Sequence, residues 1–338
     1  MFQGLLEVSG TIDLDQFWPV TESDADTVKV LLAGVNAFRF RPRAGAPFKV
    51  THAFDGATVK GKVSKPAIDK QDRVTIRLQG VDAAELHYRP TAPTLHQKKP
   101  TKTQRANFNA ANGNFRQFFG ETATVELHKF MAKAGASPIK CVVRTTVDEP
   151  GDVFDTFGRL IGDIFITSGG KEQNVNHWLC ANGWAFPTFY SSMNDKEIND
   201  LINLGEKART SKAGVWSNAT SDLSKFDRTI VFRNHGVPNP AGDNGFVFLP
   251  KLFRRRSTFG VAVAAKLVSG SFKPYLQAEP DECFETSDFL RQGAHAAKLR
   301  HLDEFVTPGT KFTVGPKDLV FRENASTVIG KNGKPAQF

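Results

Sequence analysis

Cysteine is scarce in this chain. Cys141, Cys180 and Cys283 are the only three, none forms a C-x-x-C pair, and the odd number leaves one over. That excludes a dense disulfide framework and a thiolate zinc site, and it fits a reducing compartment. Long apolar runs are missing too. None approaches the roughly 18 residues of a membrane-spanning helix, and the opening "MFQGLLEVSGTIDLDQFW" lacks the basic-then-apolar pattern of a secretory signal. The expectation is a cytoplasmic protein with no membrane partner. Acidic residues are outnumbered, 35 against 44 Lys and Arg, for a net charge of +9 and a pI near 9.4. A field of that sign favours polyanions, nucleic acid first.

What is present suits a globular protein. The 338 residues are 40% apolar and 11% aromatic, enough for two ordinary domains and a sizeable core. From Leu5 to about Ile166, short β-rich runs follow one another: "LLEVSGTIDL", "DTVKVLLAG", "PFKVTHAF", "RVTIRLQGVD", "TATVELHKF", "IKCVVRTTV" and "LIGDIFIT". Turn signals such as Asp55-Gly56, Pro150-Gly151 and Gly169-Gly170 separate them, as an antiparallel sheet or small barrel requires. Phe108, Ala111, Phe115 and Phe118 predict one helix among the strands, ending at Gly120. Two more helices follow, one with Val175, Trp178 and Leu179 before Gly183, the other capped by Asn194 with Ile198, Leu201, Ile202 and Leu204 as its stripe. This order predicts an α+β fold, an OB-fold-like antiparallel barrel with packed helices.

A polar stretch begins at Ser217. Beyond it "TIVFRN", "GFVFLPKLFRRR", "FGVAVAAKLV", "KPYLQA", "KFTVG" and "DLVFRE" read as strands, with one helix from Ser287 to about Phe305 and a frayed tail. The expected division is a domain over 1–216, with an insertion at about 31–70, and a smaller α+β or β-rich accessory domain over 217–338.

The window "RVTIRLQGVDAAELHY" carries Arg77 in a strand, then Asp82, then Glu85 three residues on, and "DTFGRLIGDIF" presents Arg159 directly after a glycine. Acids that bind a hard cation and activate water, with arginines that neutralise a pentacoordinate phosphorane, are what metal-assisted phosphodiester cleavage needs. A further acid comes from "SDADTVKV", which holds Asp24 and Asp26. The phrase is echoed by "FDGATVKG", where Ala57 replaces the second carboxylate and cannot ligate a cation. Asp26 is therefore preferred to the Asp55 turn, and the echo falls within the insertion.

Basic residues gather in two places. Lys98, Lys99 and Lys102, with Arg89 and Arg105, form a loop that suits phosphate contact or plain solvation. Arg254, Arg255 and Arg256, flanked by Phe253 and Phe259, form a second candidate for nucleic-acid contact, against the simpler reading of a solvated face. The histidines have no metal-ligand spacing; His295 and His301 are six apart and do not share a helix face.

Taken in order, these motifs resemble the staphylococcal nuclease (thermonuclease) family. Asp24 to Lys29 matches its Asp-Gly-Asp-Thr-Val-Lys, Arg77, Asp82 and Glu85 match its Arg-x4-Asp-x-x-Glu, and Asp155 to Arg159 matches its Asp-x-Tyr-Gly-Arg. "CANGWAFPTFY" and the Gly214-Val215-Trp216 close also fall in family positions, so the resemblance spans about Leu5 to Trp216. It implies an OB barrel, one Ca2+ ion (other divalent metals being compatible), and hydrolysis of DNA or RNA to 3′-phosphate products. It further implies Asp26, Asp82 and the carbonyl of Ala83 as metal ligands. Glu85 would position or deprotonate the water, Arg77 and Arg159 would hold the phosphate, and Phe189 and Tyr190 would lie near the base-stacking aromatics. Two departures stand out. Ala83-Ala84 replaces Thr-Pro, and about fifty residues separate Asp26 from Arg77, far more than the family has. The alternative expectation is a catalytically inactive module that binds nucleic acid or protein. The C-terminal domain is then a candidate for homo-oligomerisation or for docking a protein partner.

Overall fold

The computed structural model describes residues 4–17, 24–233, 240–308 and 310–338. Two compact units interleave along the chain. The first takes the residues up to Val81, then Thr124–Leu179 and Glu323–Phe338; the second takes Asp82–Ala123 and Cys180–Arg322.

The first unit is a closed five-stranded, OB-like barrel. Its strands are β1 (Gly4–Ile12), β2 (Thr27–Leu32), β3 (Arg73–Leu78), β4 (Ile139–Val147) and β5 (Leu160–Ser168). β1 runs antiparallel to β2 and β4, β2 to β3, and β4 to β5. A parallel pairing closes the ring, with Leu160 of β5 opposite Ile76 of β3. Every second residue turns inward, so Leu6, Val8, Ile12, Val28, Val30, Val74, Ile76, Val143, Leu160 and Ile164 fill the interior.

The residues between β2 and β3 stay outside this ring. Phe38–Arg41 adds a strand to β1, and Thr58–Lys60 forms a hairpin with Ser64–Pro66. Part of "PFKVTHAF" is helical, a single turn at Thr51–Phe54. The C-terminal tail, expected to fray, is instead held. Thr327–Ile329 pairs with Thr58–Lys60, and the Phe338 ring lies 5.1 Å from that of Phe54, which also meets Phe38 at 4.8 Å and Phe154 at 5.6 Å.

The longer α-helices are α1 (Lys102–Ala111), α2 (Gly120–Ala132), α3 (Val175–Ala181), α4 (Asp195–Thr210), α5 (Pro250–Ala264), α6 (Phe272–Ala278) and α7 (Thr286–Gln292). Several expectations give way here. The helix through Phe108 stops at Ala111, and Phe115 bridges Tyr88 instead. Gly120 begins a helix rather than ending one, and "TATVELHKF" lies in α2. Its apparent alternation hides a spacing of four, at Ala123, Leu127 and Met131, all fully buried. "KLFRRR" and "FGVAVAA" form α5, which Pro250 starts at its first turn, and "KPYLQA" is α6. The helix from Ser287 ends at Gly293, whose φ of +73° breaks it. "TIVFRN" keeps only a bridge at Val231, and its Asn234 lies outside the described residues, as does Ser23 of "SDADTVKV".

The second unit also holds a four-stranded sheet, in the order Phe189–Tyr190, Leu319–Phe321, Glu282–Glu285, Arg300–His301. One apolar core unites Phe108, Phe115, Phe186 and Val215 with Leu223, Val247, Phe248, Phe253, Phe272 and Leu302. Among the described residues, no helix is long and apolar enough to cross a membrane.

Candidate nucleic-acid site

In the first unit, strand register places the leading charges. Thr27 of β2 stands opposite Arg77 of β3, and the Leu78 N–H donates to the Asp26 carbonyl at 2.8 Å. Asp26 is thereby brought beside Arg77, whose Nη1 lies 3.0 Å from the Asp26 carboxylate and donates to the Val81 carbonyl at 2.8 Å. Both residues are buried. Asp55, at the echo, is two-thirds exposed and pairs with Lys331 at 2.8 Å. Of the two aspartates, Asp26 is the one beside Arg77. The long spacing is taken up by residues that stay outside the barrel ring.

Arg159 sits at the end of a tight loop. One Asp155 oxygen accepts the N–H groups of Phe157 and Arg159, both at 2.9 Å, and the other accepts Arg159 Nε at 2.8 Å, with Gly158 at φ +75°. The same loop occurs a second time. Asp69 accepts from Gln71 and Arg73 N–H at 2.8 and 3.0 Å and from Arg73 Nε at 2.9 Å, with Asp72 at φ +55°. The shared pattern Asp-x-x-x-Arg is visible in the text at both places, and sequence reasoning singled out only one. The echo phrase has a mechanical part: Val63, in its hairpin, donates to the Thr156 carbonyl at 3.2 Å, and Gly61 packs on Thr156 so closely that no side chain would fit there.

In the second unit, Asp82 is fully buried and Glu85 nearly so. The Gln117 N–H donates to the Glu85 carbonyl at 2.7 Å, and Gly120 leaves room for that carbonyl, since a Cβ would lie 2.7 Å from it. Both carboxylates face Arg254 of α5. Its Nη1 and Nη2 reach the two Asp82 oxygens at 3.2 and 3.0 Å, and Nη1 also pairs with Glu85 Oε1. Burial works against the charge on Arg254. Asp82 and then Glu85 outweigh it and push the guanidinium pKa further up. The Thr258 hydroxyl donates to the Arg254 carbonyl at 2.9 Å and lies 2.9 Å from the Tyr88 hydroxyl, fixing this turn of α5.

Arg254, Arg255 and Arg256 were expected to make nucleic-acid contacts. In the structure each has protein partners of its own. Arg255 is committed to Asp281, at 2.6 and 2.8 Å, and to Glu279; Arg256 lies over the rings of Phe226, Phe259 and Phe272. A strand would have sent neighbours to two faces, whereas a helix sends three consecutive arginines in three directions. Phe189, expected near the base-stacking aromatics, is fully buried in the small sheet; Tyr190 beside it is half-buried. Ala83 is buried in the short strand Val81–Ala83, which pairs with Ala185–Pro187. Lys98, Lys99 and Lys102 are exposed around the start of α1.

Residues 75–218 match the family model described as staphylococcal nuclease homologue. The chain carries a staphylococcal nuclease-like domain. The match to this domain takes in Arg77, Asp82, Glu85 and Arg159 and leaves Asp26 and Arg254 outside. A search of curated proteins finds no match. Staphylococcal nuclease-like domains generally bind nucleic acid, and the family generally depends on Ca2+. Hard carboxylate oxygens suit that ion. In this domain, however, both oxygens of Asp82 and one of Glu85 already serve a guanidinium, and a divalent cation added among them would meet a like charge. As arranged, the pair does not fit a metal. Among the described residues, no group of three or more His, Cys, Asp and Glu is gathered to hold one.

Proposed function

We propose that the chain binds DNA or RNA and hydrolyses its phosphodiester bonds in the manner of the staphylococcal nuclease family, whose Ca2+ dependence is part of the reading. The observation that supports it most is the pairing of Asp26 with Arg77 by strand register, which brings the two side chains together although about fifty residues separate them in sequence. Arg77 and Arg159 are the groups for the phosphate. Each has a planar guanidinium able to donate two parallel hydrogen bonds as charge builds on the phosphorane oxygens. Glu85 is the base for the attacking water, and Lys98, Lys99 and Lys102 hold the strand through its phosphates without regard to sequence.

The test is cleavage of single-stranded DNA and of RNA by purified protein with Ca2+ and with chelator, with the product ends identified. Glu85→Gln and Arg77→Ala are expected to lower the rate by about 10²-fold or more. Wild-type rates in either variant would remove these roles. A second reading, a binding module without catalysis, is favoured by the contact of Arg254 with Asp82 and Glu85. Salt-sensitive binding with no product under Ca2+, Mg2+ or Mn2+ selects it.

A further inference from the structure

We infer that Arg254 is a resident counter-cation of the Asp82 and Glu85 pair, and that a divalent cation can occupy these carboxylates only in competition with it. The inference rests on the proposed reading for the identity of the carboxylates, and on nothing else in it.

Asp82 is fully buried, and Glu85 is close to it in exposure. Burying two carboxylates costs free energy that a positive charge at hand offsets, because the fold has taken away the water that would otherwise stabilise them. Arg254 supplies that charge with the geometry a carboxylate best accepts, two parallel bonds to Asp82 and a third contact on Glu85. Its position is not that of a wandering surface side chain. Leu252 and Phe253 are buried in the core, Arg255 is bound to Asp281, and Thr258 ties the Arg254 carbonyl. The rotation of α5 is thus fixed by neighbours on either side of Arg254. The Arg254 side chain as a whole is 28% exposed, so it has a way out without moving the helix.

Residues 75–218 contain Asp82 and Glu85 but not Arg254. The closing group is therefore supplied by sequence beyond the family's own domain.

The experiment compares full-length wild type, Arg254→Gln and Arg254→Lys, using Ca2+ alone as the probe. Calorimetry is expected to give at least about tenfold tighter Ca2+ binding for Arg254→Gln than for wild type. In chelator its melting temperature should fall by several degrees, and Ca2+ should restore it, while wild type changes little with Ca2+. Arg254→Lys, a point charge that cannot span both oxygens of Asp82, should lie between the two. If Arg254→Gln folds and gains neither Ca2+ affinity nor Ca2+-dependent stability, the inference is overturned. Should Arg254→Gln prove too unstable to purify, Arg254→Lys carries the test, and a Ca2+ affinity equal to wild type overturns it. Cleavage is not a readout here. Absence of hydrolysis in every variant would sink the hydrolase reading and leave this one standing.

Discussion

At Asp69 the physics of a single side chain can be followed from bond to solution behaviour. Partial burial pushes its carboxyl pKa up, but the N–H groups of Arg73 and Gln71 and the Arg73 guanidinium outweigh that and hold it below the usual aspartate value. A carboxyl with a lowered folded-state pKa stabilises the fold above its unfolded value, and that contribution is lost as pH falls through the lowered one. The window therefore lies below about pH 3.9, the ordinary aspartate value. Asp69→Asn is expected to flatten the acid limb of the stability curve in that window, as measured by denaturant unfolding at stepped pH. Unchanged acid sensitivity would mean that the loop does not draw on this charge. The same scale shows what was legible in sequence. Arg77, Asp82, Glu85 and Arg159 sit in short local patterns and could be picked out from the text. Arg254 could be picked out for its charge but not for this contact, because its partner Glu85 is 169 positions away and the meeting depends on the phase of a helix.

Elements were readable where burial alternates simply. The strands β1, β4 and β5 each present one face to the barrel, and their runs of Val, Ile and Leu say so. α2 and α5 were hidden for a different reason: both mix β-branched and apolar residues with no long polar face, so their period is ambiguous in the text. The cap of α2 is equally remote, since Asp243 accepts the Thr122 N–H at 2.9 Å and its hydroxyl at 2.8 Å. Connections between elements are demanding in their own way. Gly183, after α3, and Gly214, after α4, pack backbone to backbone with φ of +70° and +52°, and Val215 donates to the Gly183 carbonyl at 2.8 Å. A Cβ on Gly183 would run into the Ala213 carbonyl. Gly183→Ala is expected to lose about 1–3 kcal/mol of stability, read as a lower denaturant midpoint at unchanged slope. A midpoint equal to wild type would show that the turn can relax.

For the whole molecule, the order of residues along the chain is a poor guide to the order of contacts. Phe108, Phe115, Phe186 and Val215 belong to one core with Leu223, Phe253, Phe272 and Leu302. A fragment ending at Trp216 would leave the first four without most of their apolar neighbours. It is expected to show no cooperative thermal transition and to bind a hydrophobic dye, by calorimetry and fluorescence. A fragment that melted as sharply as the full chain would place the stabilising contacts elsewhere. The barrel class was predictable because a closed sheet repeats one simple pattern, whereas the shared core joins residues that no local pattern links.

The tail adds a last consequence. Thr327–Ile329 clasps the hairpin at Thr58–Lys60, and that hairpin in turn braces the loop that ends in Arg159. Lys331 is exposed beside the clasp. A protease that clipped the chain there would slacken the Arg159 loop from a distance, without removing a single charge from Asp26, Arg77 or Arg159.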